Sequence, residues 1–294
     1  MRKHSHFDIW LHDDDELSAI HGAKVASRAV LRQWPLSVVE RLEFADGASR
    51  IYKAYYNLPV ESEFYRNVRS RHIPAMFYSC LEGDRHWLLL EDIEGRHPAG
   101  LDFTGTVRLF RATREIIDNI ETIKCVRHDL TARNYELFVR SIIDLLITLN
   151  GERKLKKTDR EAIGRINNAL SHPEALRFIN DKRSIIHGDM KCDNILVRPN
   201  GEIAIIDWQN ITIGPPEVDL YSLLATRGID PVPHAGIGPE ILRLALEIRW
   251  FADCLNRWIP YPDFLDGQIS TVESYLASLV KHNGYTETGV YYFH

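Results

Sequence analysis

Residues 187–194 read HGDMKCDN and residues 206–208 read IDW, and the segment between them decides the fold. That segment holds two short runs rich in Ile, Leu, Val and Ala, joined by Pro-Asn-Gly. Such runs around a glycine-bearing turn predict a β-hairpin. A strand rises about 3.3 Å per residue, so a hairpin brings the two ends of the segment back together. The asparagine that closes the first motif should therefore lie near the aspartate of the second.

The side chains gathered in this way have the chemistry of phosphoryl transfer. That reaction needs cations on the phosphates, ligands for magnesium and a carboxylate that orients or deprotonates the attacking hydroxyl. Asn194 and Asp207 offer the hard oxygen ligands that Mg²⁺ prefers, and Asp189 should stand beside them. The order H-x-D-x4-N, hairpin, Asp also matches the signature of protein kinases. We therefore predict a magnesium-dependent kinase that uses ATP.

The closer match is HGDxxxxN followed by IDW, which resembles the aminoglycoside phosphotransferase and choline kinase family of kinase-fold enzymes. These enzymes phosphorylate hydroxyl groups of small molecules. The resemblance implies that Asp189 is the catalytic base and that Asn194 and Asp207 are the magnesium ligands. It also implies that His187 is a structural part of the loop and that Asp219 is a buried anchor for the loop backbone. The resemblance spans residues 37–221 and is specific only over residues 186–224.

Lys191 follows the predicted base by two residues. Many small-molecule members of the family have a histidine there, whereas Ser/Thr protein kinases have a lysine that reaches the transferred phosphate. A cation beside the migrating phosphoryl group would offset charge that develops in the transition state. The alternative is a solvent-exposed loop lysine. We favour the catalytic role.

Lys53 lies in a predicted strand among apolar residues, where an unpaired buried charge costs several kcal/mol. It looks like the family's strand lysine, which binds the α- and β-phosphates and pairs with a helix glutamate. Glu63 is the first candidate for that partner, and Glu61 is the alternative. No G-x-G-x-x-G loop is present, so any loop over the phosphates must be atypical. The competing interpretation of Lys53 is a strand lysine that reaches solvent.

Glu91, Asp92 and Ile93 resemble the hinge segment of kinases, where backbone groups rather than side chains would bind adenine. The resemblance implies an α+β, bilobal, protein-kinase-like fold. A small β-rich lobe over residues 1–93 would bind the nucleotide, and a larger, mainly helical lobe over residues 94–294 would hold the acceptor. The hinge would fall at about residues 91–98.

The remaining elements follow from hydrophobic periodicity and turn signals. Strands are predicted at residues 37–44, 49–56, 87–90, 195–198 and 202–206. Helices are predicted at residues 60–68, 135–149, 218–225 and 239–259.

A second stretch, HDLTARN at residues 128–134, imitates a catalytic loop with the same Asp-x4-Asn spacing. An amphipathic helix follows it instead of a hairpin, so we interpret it as a loop and a helix start. A protein substrate is disfavoured as well. Only the eleven residues 208–218 separate Asp207 from Asp219, whereas protein kinases carry a long activation segment there.

Composition narrows the class of protein further. The net charge of −5 offers no basic field for nucleic acid or an anionic membrane. The four cysteines form no CxxC pair, and no run resembles a signal core or a membrane span. We therefore expect a cytoplasmic protein. No GxxxxGK[ST], HExxH or G-x-S-x-G motif supports another enzyme class.

The acceptor is the least defined part of the prediction. Residues 209–294 hold ten acidic residues against five basic ones, with many aromatics, and such a wall would suit a cationic acceptor. A solvated acidic surface is the alternative. An aminoglycoside is the first guess, ahead of choline-like alcohols and sugar-like metabolites, and a nucleotide-binding pseudokinase scaffold is a rival from another class. The oligomeric state, the phosphorylated hydroxyl and the choice between ATP and GTP stay open. The acidic candidates are Glu217, Asp230, Asp253, Asp263 and Asp266.

Overall fold

The computed structural model describes residues 1–56, 58–120, 123, 125–179, 184–258 and 262–281, without the side chains of residues 258, 262–266, 272 and 279. This part of the chain forms two compact units. The first holds Met1–Arg127 together with Asp189–Ile211, and the second holds His128–Gly188 together with the described residues from Thr212 onward. The predicted division of the chain at residues 91–98 stays a prediction.

Strands and helices are numbered here in chain order. The strands are β1 (Arg2–Lys3), β2 (Trp10–Leu11), β3 (Val25–Trp34), β4 (Ser37–Phe44), β5 (Ser49–Tyr56), β6 (Met76–Glu82), β7 (Arg85–Glu91), β8 (His128–Asp129), β9 (Ile185–Ile186), β10 (Ile195–Val197), β11 (Ile203–Ile205) and β12 (Thr212–Ile213). The helices are α1 (Asp14–His21), α2 (Val60–Asn67), α3 (Phe103–Asp118), α4 (Ala132–Gly151), α5 (Arg160–Leu170), α6 (Pro173–Phe178), α7 (Glu217–Ala225), α8 (Val232–Ala235), α9 (Ile237–Asp253) and α10 (Pro262–Lys281).

The first unit is built on a five-stranded antiparallel sheet in the order β3-β4-β5-β7-β6. The β4–β5 hairpin has the bounds that the sequence predicts. Gly47 turns the chain with φ of 84°, and its N–H donates to the carbonyl of Phe44. The central position of β5 places Lys53 between Val39 of β4 and Leu88 of β7. The lysine thus emerges from the middle of the sheet.

Strand β3 is not predicted from the sequence. It lies at the edge of the sheet, and most of its side chains are exposed, Val30 and Leu31 by 53% and 50%. Because neither face is consistently buried, its sequence lacks the alternation that marks a half-buried strand. Two register shifts against β4 further weaken that pattern.

The second unit is mainly helical. Helices α4, α5, α6, α7, α9 and α10 contribute to its apolar core, and β8, β12 and β9 form a small three-stranded sheet. Helices α6 and α9 approach so closely at Gly238 that a Cβ there would lie 2.4 Å from the carbonyl oxygen of Glu174. Helix α9 ends at Asp253, before the predicted helix end at residue 259. A π-helical turn, Cys254–Trp258, follows it. Residue 259 lies outside the described residues.

The structure confirms the predicted α+β class, with a sheet in the amino-terminal region and helices in the carboxy-terminal region. The HDLTARN stretch contains a helix start as predicted, since its last three residues open α4 at Ala132, but its first two residues form β8 rather than a loop. None of the described helices is long and apolar enough to cross a membrane.

Candidate active site

The hairpin between the two motifs is present and fixes their relative position. Strands β10 and β11 pair antiparallel, with Ile195 opposite Ile205, and Gly201 turns the chain with φ of 84°. The N–H of Ile206 donates to the carbonyl of Asn194 at 2.9 Å. Asn194 and Asp207 therefore lie at the same end of the hairpin, as the sequence predicts.

Asn194 is buried, and its amide nitrogen holds the loop in front of it. Nδ2 donates to the carbonyl oxygen of Asp189 at 2.8 Å and lies 3.4 Å from Oδ2 of the same residue. The side-chain oxygen of Asn194 accepts no hydrogen bond within the described part of the chain. The amide is thus turned so that a hard oxygen ligand remains available.

Asp189 and Lys191 form a partly exposed pair. The ammonium of Lys191 donates to Oδ2 of Asp189 at 2.9 Å, and each side chain is 29% exposed. The carboxylate therefore touches both a cation and the amide of Asn194 while it keeps access to solvent. Such a group can accept a proton from a hydroxyl that approaches it.

Asp219 binds the backbone just before Asp189. Its two carboxylate oxygens accept hydrogen bonds from the N–H groups of His187 at 2.8 Å and Gly188 at 3.0 Å. Asp219 is 2% exposed and His187 is fully buried. Gly188 has φ of 78°, a conformation that costs glycine little. Charge-assisted bonds from two successive N–H groups fix the path of the loop.

Lys53 lies at the centre of a buried ionic network. Its ammonium is 2.9 Å from Oε1 and 2.8 Å from Oε2 of Glu61, and 2.8 Å from Oδ1 of Asp207. Burial alone would lower the pKa of Lys53, but the attraction of Asp207 and Glu61 outweighs burial and raises the pKa, so the ammonium stays charged. One cation thus joins a strand, a helix and the aspartate after the hairpin.

Glu61 is the more deeply buried acid of this network, with its side chain 2% exposed against 18% for Asp207. Burial raises the pKa of its carboxyl to about 7, and the carboxylate of Asp207 adds to the increase, while Lys53 opposes both. A fully buried carboxylate loses its hydration, and a single shared ammonium compensates only part of that loss. The protonation state of Glu61 is therefore sensitive to pH near neutrality.

The prediction that Glu63 pairs with Lys53 is wrong, and Glu61 is the partner. Both belong to α2, but residues two positions apart point to nearly opposite sides of a helix. Glu61 lies on the buried side, whereas Glu63 forms an ion pair with Arg66 at the surface. The sequence leaves both glutamates as candidates, and the orientation of α2 about its axis determines that Glu61 faces Lys53.

Helix α2 also contacts the IDW motif through residues that the sequence analysis did not single out. The ring of Phe64 stacks on Trp208 with centroids 4.3 Å apart, and the hydroxyl of Tyr65 accepts a hydrogen bond from the backbone N–H of Asp207 at 3.3 Å. Phe64 follows Glu61 by three residues, so the shared helix face was a usable signal. Asp207 itself has a left-handed backbone, with φ of 63°.

The side chains of the predicted hinge are engaged within the first unit. Glu91 pairs with Arg198 at 3.1 Å, and Asp92 pairs with Arg41 at 2.8 Å. Ile93 is buried, and its backbone N–H and carbonyl make no hydrogen bond with any described residue. Backbone groups of Ile93 thus remain unpaired within the described part of the chain, and the role of this segment as an adenine-binding hinge stays a prediction.

Among the acidic candidates for the acceptor, Asp253 is not available. It is 4% exposed, and its Oδ1 lies 2.6 Å from Arg249 and 3.8 Å from Arg257. Two arginines already neutralise this carboxylate, because a buried acid needs such partners. Asp253 therefore stabilises the end of α9 and offers no charge to a cationic acceptor, contrary to expectation.

The other acidic candidates differ in what the structure says of them. Asp230 is exposed and accepts the N–H of Val232 at the start of α8. Glu217 is partly exposed in the first turn of α7. The side chains of Asp263 and Asp266 lie outside the described residues.

The donor set fits magnesium better than a metal held wholly by protein. No group of three His, Cys, Asp or Glu side chains suited to a metal occurs in the part of the chain that the structure describes. Mg²⁺ usually takes one or two protein oxygens and completes its shell with phosphates and water. The Asp207 carboxylate and the side-chain oxygen of Asn194 are two such oxygens, held at one end of the hairpin.

Three solved structures illustrate what this fold is similar to. The streptomycin-ATP-APH(2'')-IIa ternary complex matches with a TM-score of 0.57 and 18% identity, over 92% of this chain and 99% of that one. Choline kinase LicA from Streptococcus pneumoniae matches with a TM-score of 0.61 and 16% identity, over 90% and 97%. A putative fructosamine-3-kinase from Thermobifida fusca YX-ER1 matches with a TM-score of 0.54 and 17% identity, over 92% and 96%. At these identities the likeness shows the fold.

The family follows from the sequence profile rather than from single relatives. No curated protein matches the chain significantly. The profile of the phosphotransferase enzyme family matches residues 19–250, which is most of the chain. The chain therefore belongs to the phosphotransferase enzyme family, as its resemblance to aminoglycoside phosphotransferases and choline kinases implied, and it is a small-molecule kinase.

Proposed function

We propose that this enzyme transfers the γ-phosphate of ATP to a hydroxyl group of a small molecule, with Mg²⁺ as cofactor. The observation that carries the proposal is the network in which Lys53 joins Glu61 to Asp207. A charged lysine held beside a candidate metal ligand suits a triphosphate, because phosphate oxygens need cations that are already in place.

Asp189 is the proposed base. It would accept the proton of the acceptor hydroxyl while that oxygen attacks the γ-phosphate. Asn194 orients Asp189, and Lys191, at 2.9 Å from the carboxylate, supplies positive charge near the transferred group. Asp219 and the buried His187 support the loop that carries the base.

Asn194 and Asp207 are the proposed magnesium ligands. These two side chains would hold Mg²⁺, which would supply positive charge against the charge that develops on the phosphate oxygens. Lys53 would bind the α- and β-phosphates, and the backbone at Ile93 would receive the adenine. Glu61 keeps Lys53 in place when the nucleotide is absent.

An aminoglycoside-like molecule is the first acceptor to test, and choline-like and sugar-like alcohols follow. The similar structures include a streptomycin complex, a choline kinase and a putative fructosamine-3-kinase. Proteins of this fold are thus named for small molecules of different classes. Of the five acidic candidates, Asp253 is neutralised by arginines, and Glu217 and Asp230 are the two others whose side chains the structure describes.

The decisive experiment measures ADP release with Mg²⁺ and ATP across a panel of aminoglycosides, amino alcohols, ketosamines and sugars. Asp189→Asn should lower acceptor-dependent turnover by a factor of about 10²–10⁴, because the base is lost. Asp129→Asn is the matched control, since Asp129 has the same Asp-x4-Asn spacing but its carboxylate accepts hydrogen bonds from Thr131, just before α4.

Turnover in the control and its loss in Asp189→Asn would support the proposal. ATP binding without turnover on any acceptor would favour a pseudokinase scaffold instead. Equal turnover in both variants would remove Asp189 from the reaction.

A further inference from the structure

Tyr65, on helix α2, reaches the candidate metal ligand from outside the hairpin. Its hydroxyl oxygen accepts the N–H of Asp207 at 3.3 Å, although the two residues are 142 positions apart in the sequence. We propose that Tyr65 is a positioning residue that holds Asp207 in the backbone conformation needed to bind magnesium. This inference rests on the proposed function, because it gives Asp207 the metal-binding role.

The conformation of Asp207 is one that the chain must enforce. Its φ is 63° and its ψ is 57°, which is the left-handed region. A residue with a Cβ pays about 1–2 kcal/mol to stay there. Arg153 is the other non-glycine residue with positive φ in the described part of the chain. Without outside contacts, Asp207 would relax to an ordinary φ and its carboxylate would turn away from Lys53.

The residues on either side of Asp207 are already fixed by other bonds. Before it, Ile206 donates to the carbonyl of Asn194. After it, the indole of Trp208 donates to the carbonyl of Ile205 at 2.9 Å and stacks on Phe64. The peptide N–H of Asp207 lies between these anchors. The hydroxyl of Tyr65 is thus placed where it resists rotation of that peptide.

Tyr65 is suited to this task because it is rigid and neutral. It is 1% exposed, and its ring packs edge-on against Phe64 at 5.7 Å. Its phenol hydroxyl is a neutral group that can accept a hydrogen bond, and it carries no charge beside Asp207. A neutral oxygen can accept the N–H without repelling the carboxylate.

The test removes the hydroxyl and keeps the ring. ATP dissociation constants of the full chain are measured by calorimetry in EDTA and in saturating Mg²⁺. The dissociation constant in EDTA divided by that in Mg²⁺ gives the coupling between nucleotide and metal. Tyr65→Phe should reduce that ratio by about three- to tenfold, the worth of one hydrogen bond, with little change in EDTA.

Tyr52→Phe is the matched control. Tyr52 is also fully buried in the first unit, but its hydroxyl bonds the backbone N–H and the ring of His12 instead of Asp207. Its loss should lower the melting temperature at least as much as Tyr65→Phe and leave the ratio unchanged. An unchanged ratio in Tyr65→Phe, or an equal drop in both variants, would overturn the inference. If the wild-type protein binds ATP without any effect of Mg²⁺, the metal role within the proposed function fails first.

Discussion

Two stretches of this chain carry an aspartate with an asparagine five residues later, and they form different structures. After Asp129 the chain enters α4, and Oδ1 of Asp129 accepts the N–H and the hydroxyl of Thr131. After Asp189 the chain makes a short turn and a hairpin, and Asp189 contacts Lys191 and Asn194. Asp129 is engaged by the residue that precedes α4, whereas Asp189 contacts a cation and is partly exposed.

The two stretches share the Asp-x4-Asn spacing and differ in the secondary-structure element that follows it. A helix rises steadily along its axis, so α4 continues in one direction from Thr131. A hairpin reverses the chain and returns it to its start, so β10 and β11 bring Asp207 back to Asn194. Only the second geometry gathers several polar groups at one point. A motif of this kind is therefore informative only together with the element behind it.

After the change at Asp189 itself, the largest effect that separates the two stretches should come from their asparagines. Asn194→Ala removes the amide that holds Asp189 and the proposed oxygen ligand, and turnover should fall by a factor of about 10²–10³. Asn134→Ala removes only a 3.5 Å contact with Thr131 and should leave turnover within a factor of about two. Steady-state kinetics with the acceptor found in the panel measure both. Equal losses of turnover in the two variants would mean that the hairpin after Asn194 does not distinguish the two stretches in catalysis.

A second effect concerns the two glutamates of α2. Glu61 is buried beside Lys53, whereas Glu63 pairs with Arg66 at the surface. The folded state raises the pKa of Glu61 from an ordinary value of 4.5 to about 7, so it binds more protons than the unfolded state between these values. The stabilising contribution is therefore complete below about pH 4.5 and is lost as pH rises through 7, at up to roughly 1.4 kcal/mol per pH unit. Glu61→Gln should flatten this part of the stability curve.

Urea unfolding at several pH values between about 4.5 and 7.5 checks that expectation. Glu63→Gln is the control, since it removes only the surface ion pair with Arg66, and the free energy of unfolding should change by less than about 1 kcal/mol. A Glu61→Gln protein with the same pH slope as the wild type would contradict the assignment of the slope to Glu61.

The smallest effect tests the hairpin itself through glycine. Gly201→Ala places a side chain at φ of 84° in the β10–β11 turn and should destabilise the protein by about 1 kcal/mol. Gly164→Ala, in the middle of α5 with open space around it, should stabilise by about 0.5–1 kcal/mol. Thermal unfolding distinguishes the two signs, and a neutral Gly201→Ala would show that the turn does not require glycine.

Much of the candidate site could be predicted because its groups are close in sequence. The hairpin, the approach of Asn194 to Asp207 and the start of α4 all follow from local periodicity and turn residues. Strand β3 could not be predicted, because an exposed edge strand carries no regular pattern of burial. The ion pairs of Asp253 could not be predicted either, since its arginine partners approach it only once α9 and the turn after it are formed.

The sequence by itself determined which polar groups gather near Asp189, because a hairpin needs only neighbouring residues to return Asp207 to Asn194. The tertiary structure decided how the rest of the site is held. It gave Lys53 the partners Glu61 and Asp207, the second of them 154 residues away, and it placed Tyr65 against the N–H of Asp207. The physical reason is that such contacts depend on which side of α2 packs toward the sheet. Sequence spacing offers several choices at that point, and burial of Phe64 against Trp208 selects one.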